Sequence, residues 1–236
     1  METFQLSEKL LKKIADLISA KKNTTLKKIV KDIHFADMAE IINELNEQQG
    51  IYLIKLFDSE KTSEILTELD EDVREKILKA LSVKEIADEI EELDSDDAAD
   101  ILGELSDERK EEVISEISDD NLADDLKELL SYEEDSAGGL MAKELVQANE
   151  NWSVTKCLKE IKKQGENVTR VHSIYVVDDK QKLIGRLSLK DLITSPAKNL
   201  IKDIYIPKVD SVNVYDDGEE VAKIMSKYDL EAIPVI

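Results

Sequence analysis

Apolar positions recur at a fixed spacing through the first half of the chain. From Ile33 an apolar residue returns every twelve positions, and a second apolar series follows nine residues behind the first. The first series is Ile33, Leu45, Phe57, Leu69, Leu81, Leu93, Leu105, Ile117 and Leu129, and the second is Ile42, Ile54, Leu66, Leu78, Ile90, Leu102, Ile114 and Leu126. A twelve-residue unit holds one helix of about two to three turns and a connecting turn. Because such a unit cannot bury its apolar face alone, consecutive units are expected to stack into a solenoid.

Polar residues follow the first apolar series in the same phase. Most of them are types favoured as helix N-caps: His34, Asn46, Asp58, Asp70, Ser82, Asp94, Ser106 and Ser118. The segment 82–85 (Ser-Val-Lys-Glu) also matches a capping box. Ahead of the repeat, apolar residues at helical spacing between Leu10 and Ile18 predict an amphipathic helix.

After residue 141 the pattern changes to short β-branched runs that alternate with helices. Strands are predicted at 144–150, 173–178 and 183–188, and helices at 153–164 and from 189 until Pro196. A second repeat then begins with a strand at 209–214, a helix at 217–228 that turns Val221, Ile224 and Met225 inward, and a third element at 232–236. The pattern stops halfway through this repeat, so we expect the natural protein to continue.

These patterns predict an α+β multidomain chain. An N-terminal all-α helical solenoid covers 1–130, a junction covers 131–141, a first α/β module covers 142–200, and an incomplete second module covers 201–236. The junction contains Gly138-Gly139, the one Gly-Gly pair of the sequence. Since glycine bends at low steric cost, we expect a flexible link between two bodies.

The charge balance narrows the classes of partner. The 236 residues carry a net charge of −22, and residues 88–135 hold twenty-two acidic against three basic residues, a net of −19. This balance argues against binding to nucleic acid or to anionic membrane surfaces and favours cations or basic surfaces. Cys157 is the one cysteine, which excludes an internal disulfide, and we expect it to face the core. No apolar run approaches the roughly 20 residues that span a bilayer.

The densest acidic cluster lies at 94–100. Asp96 and Asp100 are four residues apart, so they share one face of a helix. Mg²⁺ or Ca²⁺ would relieve the repulsion between such carboxylates, but a solvated acidic face is the alternative. His34 and His172 are isolated, which argues against zinc. No phosphate loop or Ser-His-Asp set is evident, so we expect a protein that is not an enzyme; a hydrolase built on the acidic cluster would have no nucleophile.

The segment 185–192 (Gly-Arg-Leu-Ser-Leu-Lys-Asp-Leu), with the predicted β-α-β-β-α order, resembles the paired modules named after cystathionine β-synthase, the CBS domains. The resemblance implies that Ser188 and Asp191 hold the phosphate and ribose of an adenine nucleotide such as ATP. The alternative is that Ser188 caps the following helix and that Asp191 lies in its first turn, where the helix dipole favours it.

A second resemblance covers the whole chain. It rests on the acidic helical solenoid, the junction 132–141 (Tyr-Glu-Glu-Asp-Ser-Ala-Gly-Gly-Leu-Met) and the CBS modules. In this order, the three segments are similar to the cytosolic half of MgtE-type magnesium transporters. The resemblance implies a homodimer, joined through the CBS domains, that senses Mg²⁺ on the cytoplasmic side of the cell (inner) membrane and regulates the transporter's own membrane domain. The ligands it implies are the carboxylates of Asp96, Asp100, Glu64, Asp217, Glu219 and Asp229, with backbone carbonyls near Gly139 and Ser226. Ser173 and Lys227 depart from the family pattern, where an aromatic and an acidic residue are usual.

Two functional hypotheses follow. In the first, Mg²⁺ bridges carboxylates of the acidic helical domain and of the CBS domains and so favours the closed state of a transporter. In the second, the chain is a CBS scaffold that senses an adenine nucleotide and whose solenoid binds a partner protein.

Overall fold

The computed structural model describes residues 4–165 and 168–236. Its contacts divide the chain into two compact units. The first unit runs to Leu93 and resumes from Asp97 to Asp124, and the second comprises Asp94–Asp96 and Asp125–Ile236. The division falls inside two helices, and the domain boundaries given above stay a prediction.

Ten helices cover the described part of the N-terminal region, from residue 4 onward, as the spacing of apolar residues predicts. They are α1 Glu8–Ser19, α2 Asn23–Val30, α3 Phe35–Asn43, α4 Glu47–Ile54, α5 Ser59–Glu68, α6 Glu71–Ala80, α7 Val83–Ile90, α8 Ser95–Gly103, α9 Asp107–Glu116 and α10 Asp120–Leu129. Helices α3 to α10 correspond to the eight predicted units. The expectation of an N-terminal helical domain is therefore confirmed.

The packing unit of the helical repeat is longer than its sequence period. In the first unit, α3 packs against α5, α5 against α7, α7 against α9, and α4 against α6. Alternate helices therefore stack, and the packing repeat is two helices long. The second apolar series is almost fully buried from Ile42 to Leu102, whereas the first series is mixed: Leu69 and Leu81 are buried, but Leu45 and Leu93 are only half-buried. The second series is thus the centre of this core.

Several predicted caps form and three do not: Asp70 and Ser106 make no side-chain capping bond, and Ser118 is replaced by its neighbour. Asn46 and Ser82 make complete capping boxes, and Asp58 accepts from the Lys61 N–H at 3.2 Å. His34, the least favoured type of the series, also caps its helix, since its Nδ1 accepts from the Ala36 N–H.

Ser118 does not cap α10 as predicted, because the helix begins at Asp120, one residue later than a cap at position 118 requires. Asp119 accepts from the N–H groups of Asn121 and Leu122, and the Ser118 hydroxyl instead donates to Glu91 at 2.7 Å. A carboxylate one residue on therefore takes the capping role, because Ser118 has a longer-range partner.

Three cations of the first unit bind the C-terminal carbonyls of helices, where the helix dipole favours positive charge. Each acts on a helix that lies earlier in the sequence: Lys61 on α2, Arg74 on α5, and Arg109 on α6. These three side chains therefore serve the fold.

The second unit contains the predicted CBS order. Its elements are β1 Val146–Asn149, α11 Val154–Gln164, β2 Ile174–Val177, β3 Leu183–Leu187, α12 Leu189–Thr194, a 3₁₀ turn Ile201–Asp203, β4 Ile206–Pro207 and α13 Gly218–Tyr228. The sheet order is β1-β2-β3-β4, with β1 parallel to β2 and the other pairs antiparallel. Its core includes Val146, Ile174, Val176, Leu187 and Cys157, so the expectation of a buried cysteine is confirmed.

The second repeat differs from its prediction in two ways. Residues 209–214 do not form a strand, since Val212 makes one isolated parallel bridge with Val235. Helix α13 has no fully buried residue: Val221 and Met225 are half-buried and Ile224 is 37% exposed, so the expectation that all three turn inward is wrong for Ile224. In the described residues, this bridge does not extend into a sheet. Helix α13 therefore has no sheet face against which to bury its apolar side chains.

The junction is a closely packed turn of the second unit, so the expectation of a flexible link is wrong. Three backbone hydrogen bonds of 2.8 Å fasten it to the second repeat: Ala137 N–H to the Asp216 carbonyl, Gly138 N–H to the Val214 carbonyl, and Gly218 N–H to the Asp135 carbonyl. A Cβ on Gly138 would lie 2.7 Å from the Tyr132 ring, and one on Gly139 would overlap the Glu133 backbone oxygen. Neither glycine has a positive φ. Close approach, rather than conformational freedom, is what requires glycine here.

Candidate functional site

The N-terminus of α8 is held by a carboxylate distant in sequence. Ser95 is fully buried; its N–H donates to Glu144 Oε1 at 3.1 Å and its hydroxyl donates to Glu144 Oε2 at 2.8 Å. The Lys143 N–H donates in turn to Ser95 Oγ at 2.9 Å. Thr169 donates its hydroxyl to Asp94 Oδ1 at 3.0 Å. These residues all belong to the second unit. Sequence reasoning missed Glu144, because nothing local connects it with Ser95.

Lys143 also organises the acidic end of α10. Its Nζ lies 2.8 Å from Glu128 Oε2 and 3.9 Å from Asp125 Oδ1. The hydrogen bond from Lys143 lowers the pKa of Glu128 below its usual range. Segment 142–144 therefore supplies both a cation and a carboxylate to this part of the second unit.

Removing Glu144 tests this arrangement. Glu144→Ala would leave the buried Ser95 N–H and hydroxyl without their acceptor, so we expect the free energy of unfolding to fall by about 1–3 kcal/mol. Urea unfolding followed by circular dichroism measures the change. The matched control is Glu134→Ala, which removes an exposed carboxylate of the junction and should cost less than about 0.5 kcal/mol. Equal losses in the two variants would contradict the capping role.

The predicted ligands of the acidic arm lie on two helices. Asp96 and Asp100 lie on α8, where Asp96 is half-buried and belongs to the second unit, and Asp100 belongs to the first. Glu64 lies on α5 and lines an open cleft of about 220 Å³ with His34, Asp58 and other residues.

Lys61 supplies the cation of this cleft. Its Nζ donates to the carbonyls of Val30 and Ile33 at 3.1 and 2.9 Å, and burial lowers its pKa. The structure therefore surrounds Glu64 with both signs of charge.

The predicted ligands of the second repeat fall at the two ends of α13. Asp217 caps the helix by accepting from the Glu220 N–H at 3.0 Å, and Glu219 lies in its first turn. Asp229 is the residue that ends the helix, in the left-handed region with φ of 53°. Ser226 is exposed on the last turn. Eleven helical residues rise about 16 Å, so one ion cannot contact Asp217 and Asp229 of the same chain.

Gly139 is brought near the first of these ends. The antiparallel bridge between Ser136 and Asp217, with the hydrogen bond from Gly218 to Asp135, places the junction turn against the start of α13. Ser136 Oγ accepts from the Gly139 N–H at 3.2 Å and donates to the Glu133 carbonyl at 2.7 Å. The backbone around Gly139 is thereby held in one arrangement beside the Asp217 cap. In the described part of the chain, no three His, Cys, Asp or Glu side chains are grouped as metal ligands.

The two predicted nucleotide-binding residues bind each other. Ser188 Oγ accepts from the Asp191 N–H at 3.0 Å and donates to Asp191 Oδ2 at 2.9 Å. Ser188 therefore caps α12 and Asp191 lies in its first turn, as the alternative interpretation states. Binding of a ribose or phosphate by this pair would have to replace the contact between them.

Two further side chains with possible chemistry are Cys157 and His172. Burial raises the pKa of the Cys157 thiol to about 11, so the thiolate that a nucleophile or metal ligand requires is scarce at neutral pH. His172 Nδ1 lies 3.6 Å from Glu231 Oε2 at the surface. None of the helices in residues 4–165 and 168–236 has the length and apolar character to cross a membrane.

The chain begins with a repeat of short helices in which alternate helices stack. A tightly hydrogen-bonded turn then leads into a β-α-β-β-α module. These features define a helical-repeat protein with a CBS domain. The family models agree: the MgtE intracellular N domain matches residues 33–135, and the CBS domain matches residues 137–198. The chain belongs to the MgtE family of magnesium transporters and corresponds to the region that contains their N domain and CBS domain.

Solved structures and curated relatives support this assignment. A crystal structure of the cytosolic domain of the Mg²⁺ channel MgtE in complex with ATP matches with a TM-score of 0.87 and 30% identity, over 96% of this chain and 92% of that one. The soluble part of a magnesium transporter matches with a TM-score of 0.80 and 27% identity, over 97% and 90% of the two chains.

The curated relatives are longer proteins. The magnesium transporter MgtE of Thermus thermophilus is 41% identical over 108 residues, and that of Enterococcus faecalis is 39% identical over 107. These matches cover 46% and 45% of this chain but 24% of each relative, so the aligned region is about a quarter of their length.

Proposed function

We propose that this chain is the Mg²⁺-sensing regulatory region of a magnesium transporter, on the cytoplasmic side of the membrane. In this proposal, Mg²⁺ bridges carboxylates of the acidic helical domain and of the CBS domains and favours the closed state of the membrane domain. The main support is the match along nearly the whole chain to the cytosolic domain of an Mg²⁺ channel. The family's relatives are named as magnesium transporters rather than enzymes.

The chemistry of the residues fits a hard cation. Carboxylates and backbone carbonyls are the oxygen ligands that Mg²⁺ takes, and it usually keeps several waters. Asp96 and Asp100 supply carboxylates on α8, Glu64 supplies one on α5, and Asp217 with Glu219 supplies two at the start of α13. The backbone turn at Gly139 would offer carbonyls beside Asp217.

The last turn of α13 offers a second group of oxygen ligands. Asp229 would contribute its carboxylate and Ser226 its carbonyl. Because α13 separates them from Asp217, the proposal requires at least two ions rather than one shared site.

The energetics of such a sensor require only weak sites. Moving a two-state equilibrium from about 1:99 to 99:1 takes roughly 5.5 kcal/mol of differential binding, which several ions can share. With little Mg²⁺, the net charge of −22 opposes a compact form. As Mg²⁺ rises, bridged carboxylates offset this repulsion.

A scattering titration tests the proposal. The radius of gyration of the parent chain should fall as Mg²⁺ is added. In the double variant Asp96→Asn with Asp100→Asn, the midpoint should move to at least about tenfold higher Mg²⁺, since losing even 1.4 kcal/mol of binding is a tenfold effect. Glu108→Gln with Glu112→Gln is the matched control, because it neutralises two exposed carboxylates four apart on α9. Identical curves for the two double variants would show that these ligands are wrongly assigned.

The proposal includes a homodimer joined through the CBS domains. Leu189 and Ile193 on α12 are 42% and 63% exposed, which leaves apolar surface on this unit for a second copy. Sedimentation velocity compares the oligomeric state of Ile193→Asp with that of the parent, and we expect the variant to be monomeric.

The second candidate function is adenine-nucleotide sensing by the CBS module, with the helical solenoid binding a partner protein. It is favoured by the ATP bound in the cytosolic domain of the similar channel. Calorimetry with ATP alone and with Mg²⁺ alone separates the two candidates. If ATP binds, Asp191→Ala should weaken it, because the carboxylate that would accept from the ribose is removed.

A further inference from the structure

Glu89 is an ionisable side chain buried in the helical unit. It lies on α7, next to the buried Ile90, and α7 packs against α5 and α9. The residue is 9% exposed, and its Oε2 atom is buried without a hydrogen-bond partner. Carboxylates are rarely buried in this way, because an ionised oxygen without a donor pays the full cost of desolvation.

The charges that act on Glu89 are acidic. Glu85, Asp88 and Glu92 belong to the same stretch of helix, and Asp58 faces it from the start of α5. The Glu85 carboxylate is itself occupied by Lys55 at 3.1 Å.

The cations of α9, the other helix packed on α7, have partners of their own. Arg109 donates through Nη2 to the carbonyls of Leu78 and Leu81, and its Nε is buried without a hydrogen-bond partner. Lys110 lies 3.9 Å from Asp107, and neither cation is among the charges that act on Glu89. The surroundings of Glu89 therefore disfavour its ionised form.

We propose that Glu89 is a proton-controlled element of the helical unit: the uncharged carboxyl permits the close packing of α7 against α5 and α9, and its ionisation at alkaline pH loosens that packing. The neutral carboxyl can be buried at far lower cost than the anion. No ligand or metal is required, so the inference stands apart from the magnesium proposal.

The direction of the pH dependence follows from linkage. Burial first, and then the neighbouring carboxylates, raise the pKa of Glu89 from 4.5 to about 8. Between these values the folded protein holds a proton that the unfolded chain has released. Stability therefore falls as the pH rises through this window, and the folded state itself ionises near its upper end.

Thermal unfolding of the full chain in a metal chelator, from pH 5 to pH 9.5, tests the inference. Glu89→Gln keeps the shape of the neutral acid but cannot ionise. Its melting temperature relative to the parent should rise by about 5–10 °C between pH 5 and pH 8 and then level off. Glu112→Gln removes the same charge at an exposed position of α9 that is not among the charges acting on Glu89, and it should run parallel to the parent. A parallel curve for Glu89→Gln would overturn the proposal.

A second measurement uses the parent protein, so it does not depend on whether a Glu89 variant folds. The ¹³C shift of its side-chain carboxyl in the parent protein should titrate with a midpoint near pH 8. Amide exchange in α7, corrected for intrinsic rates, should accelerate over the same range. A midpoint near 4.5 would mean that the carboxyl is ionised in the packed helix, and the proposal would be wrong.

Discussion

Replacing Arg74 with methionine is expected to lower the free energy of unfolding of the helical unit by about 3–5 kcal/mol. Arg74 Nη1 donates to the carbonyls of Leu66 and Leu69 at 3.1 and 3.2 Å, which ends α5. Its Nε and Nη2 both donate to Glu104 Oε1, and both side chains of this pair are 17% exposed. The substitution would leave the Glu104 carboxylate buried without its cation and two helix carbonyls without donors.

Urea unfolding of three further variants isolates the cause. Arg74→Met combined with Glu104→Met should recover much of the loss, since no unpaired charge remains. Arg74→Lys should recover little, because an ammonium group cannot span the carbonyls and the carboxylate as the guanidinium does. Lys76→Met removes an exposed cation that pairs with Asp72 and should change stability by less than about 0.5 kcal/mol. If Arg74→Met costs no more than Lys76→Met, the buried pair has no stabilising role.

Gly139→Ala is expected to destabilise the second unit by about 2–3 kcal/mol, at the upper end of overpacking effects. The added Cβ would overlap the backbone oxygen of Glu133 and lie 3.0 Å from that of Glu134. Backbone atoms cannot rotate away as a side chain can. The turn would have to open, at the expense of the hydrogen bonds to residues 214–218.

The matched control for this substitution is Gly103→Ala. A Cβ at Gly103, the last residue of α8, would meet nothing within 4 Å, so stability should stay the same or rise slightly. Thermal unfolding and amide exchange at residues 214–218 measure both variants. If Gly139→Ala behaves like Gly103→Ala, close packing does not explain the glycine, and the interpretation as a flexible link is restored.

These two predictions share a physical basis with the capping of α8. In each case a buried backbone or carboxylate group is satisfied by a residue tens of positions away: Arg74 with Glu104, the junction with residues 214–218, and Ser95 with Glu144. Removing one partner exposes the other to the cost of an unmet hydrogen bond. The largest expected effects therefore lie at positions without any sequence signal.

The candidate ligand set depends on resemblance more than on periodicity. Spacing alone could place Asp96 and Asp100 on one helix face, and it could place Asp217 and Glu219 at a helix start. It could not show that α13 separates Asp217 from Asp229 by about 16 Å, because that distance depends on where the helix ends. It also could not show that Ser188 and Asp191 bind each other rather than an open site.

The sequence by itself determined the helices α3 to α10, several of their caps, and the β-α-β-β-α order of the CBS module. These features depend on local spacing, since apolar periodicity and capping side chains act within a few residues. Only the tertiary structure decided that helices stack two apart, that Gly138 and Gly139 serve close packing, that residues 209–214 make one isolated bridge rather than a strand, and that Glu89 is buried among carboxylates. Each of these depends on which distant groups meet, and local spacing carries no record of such contacts.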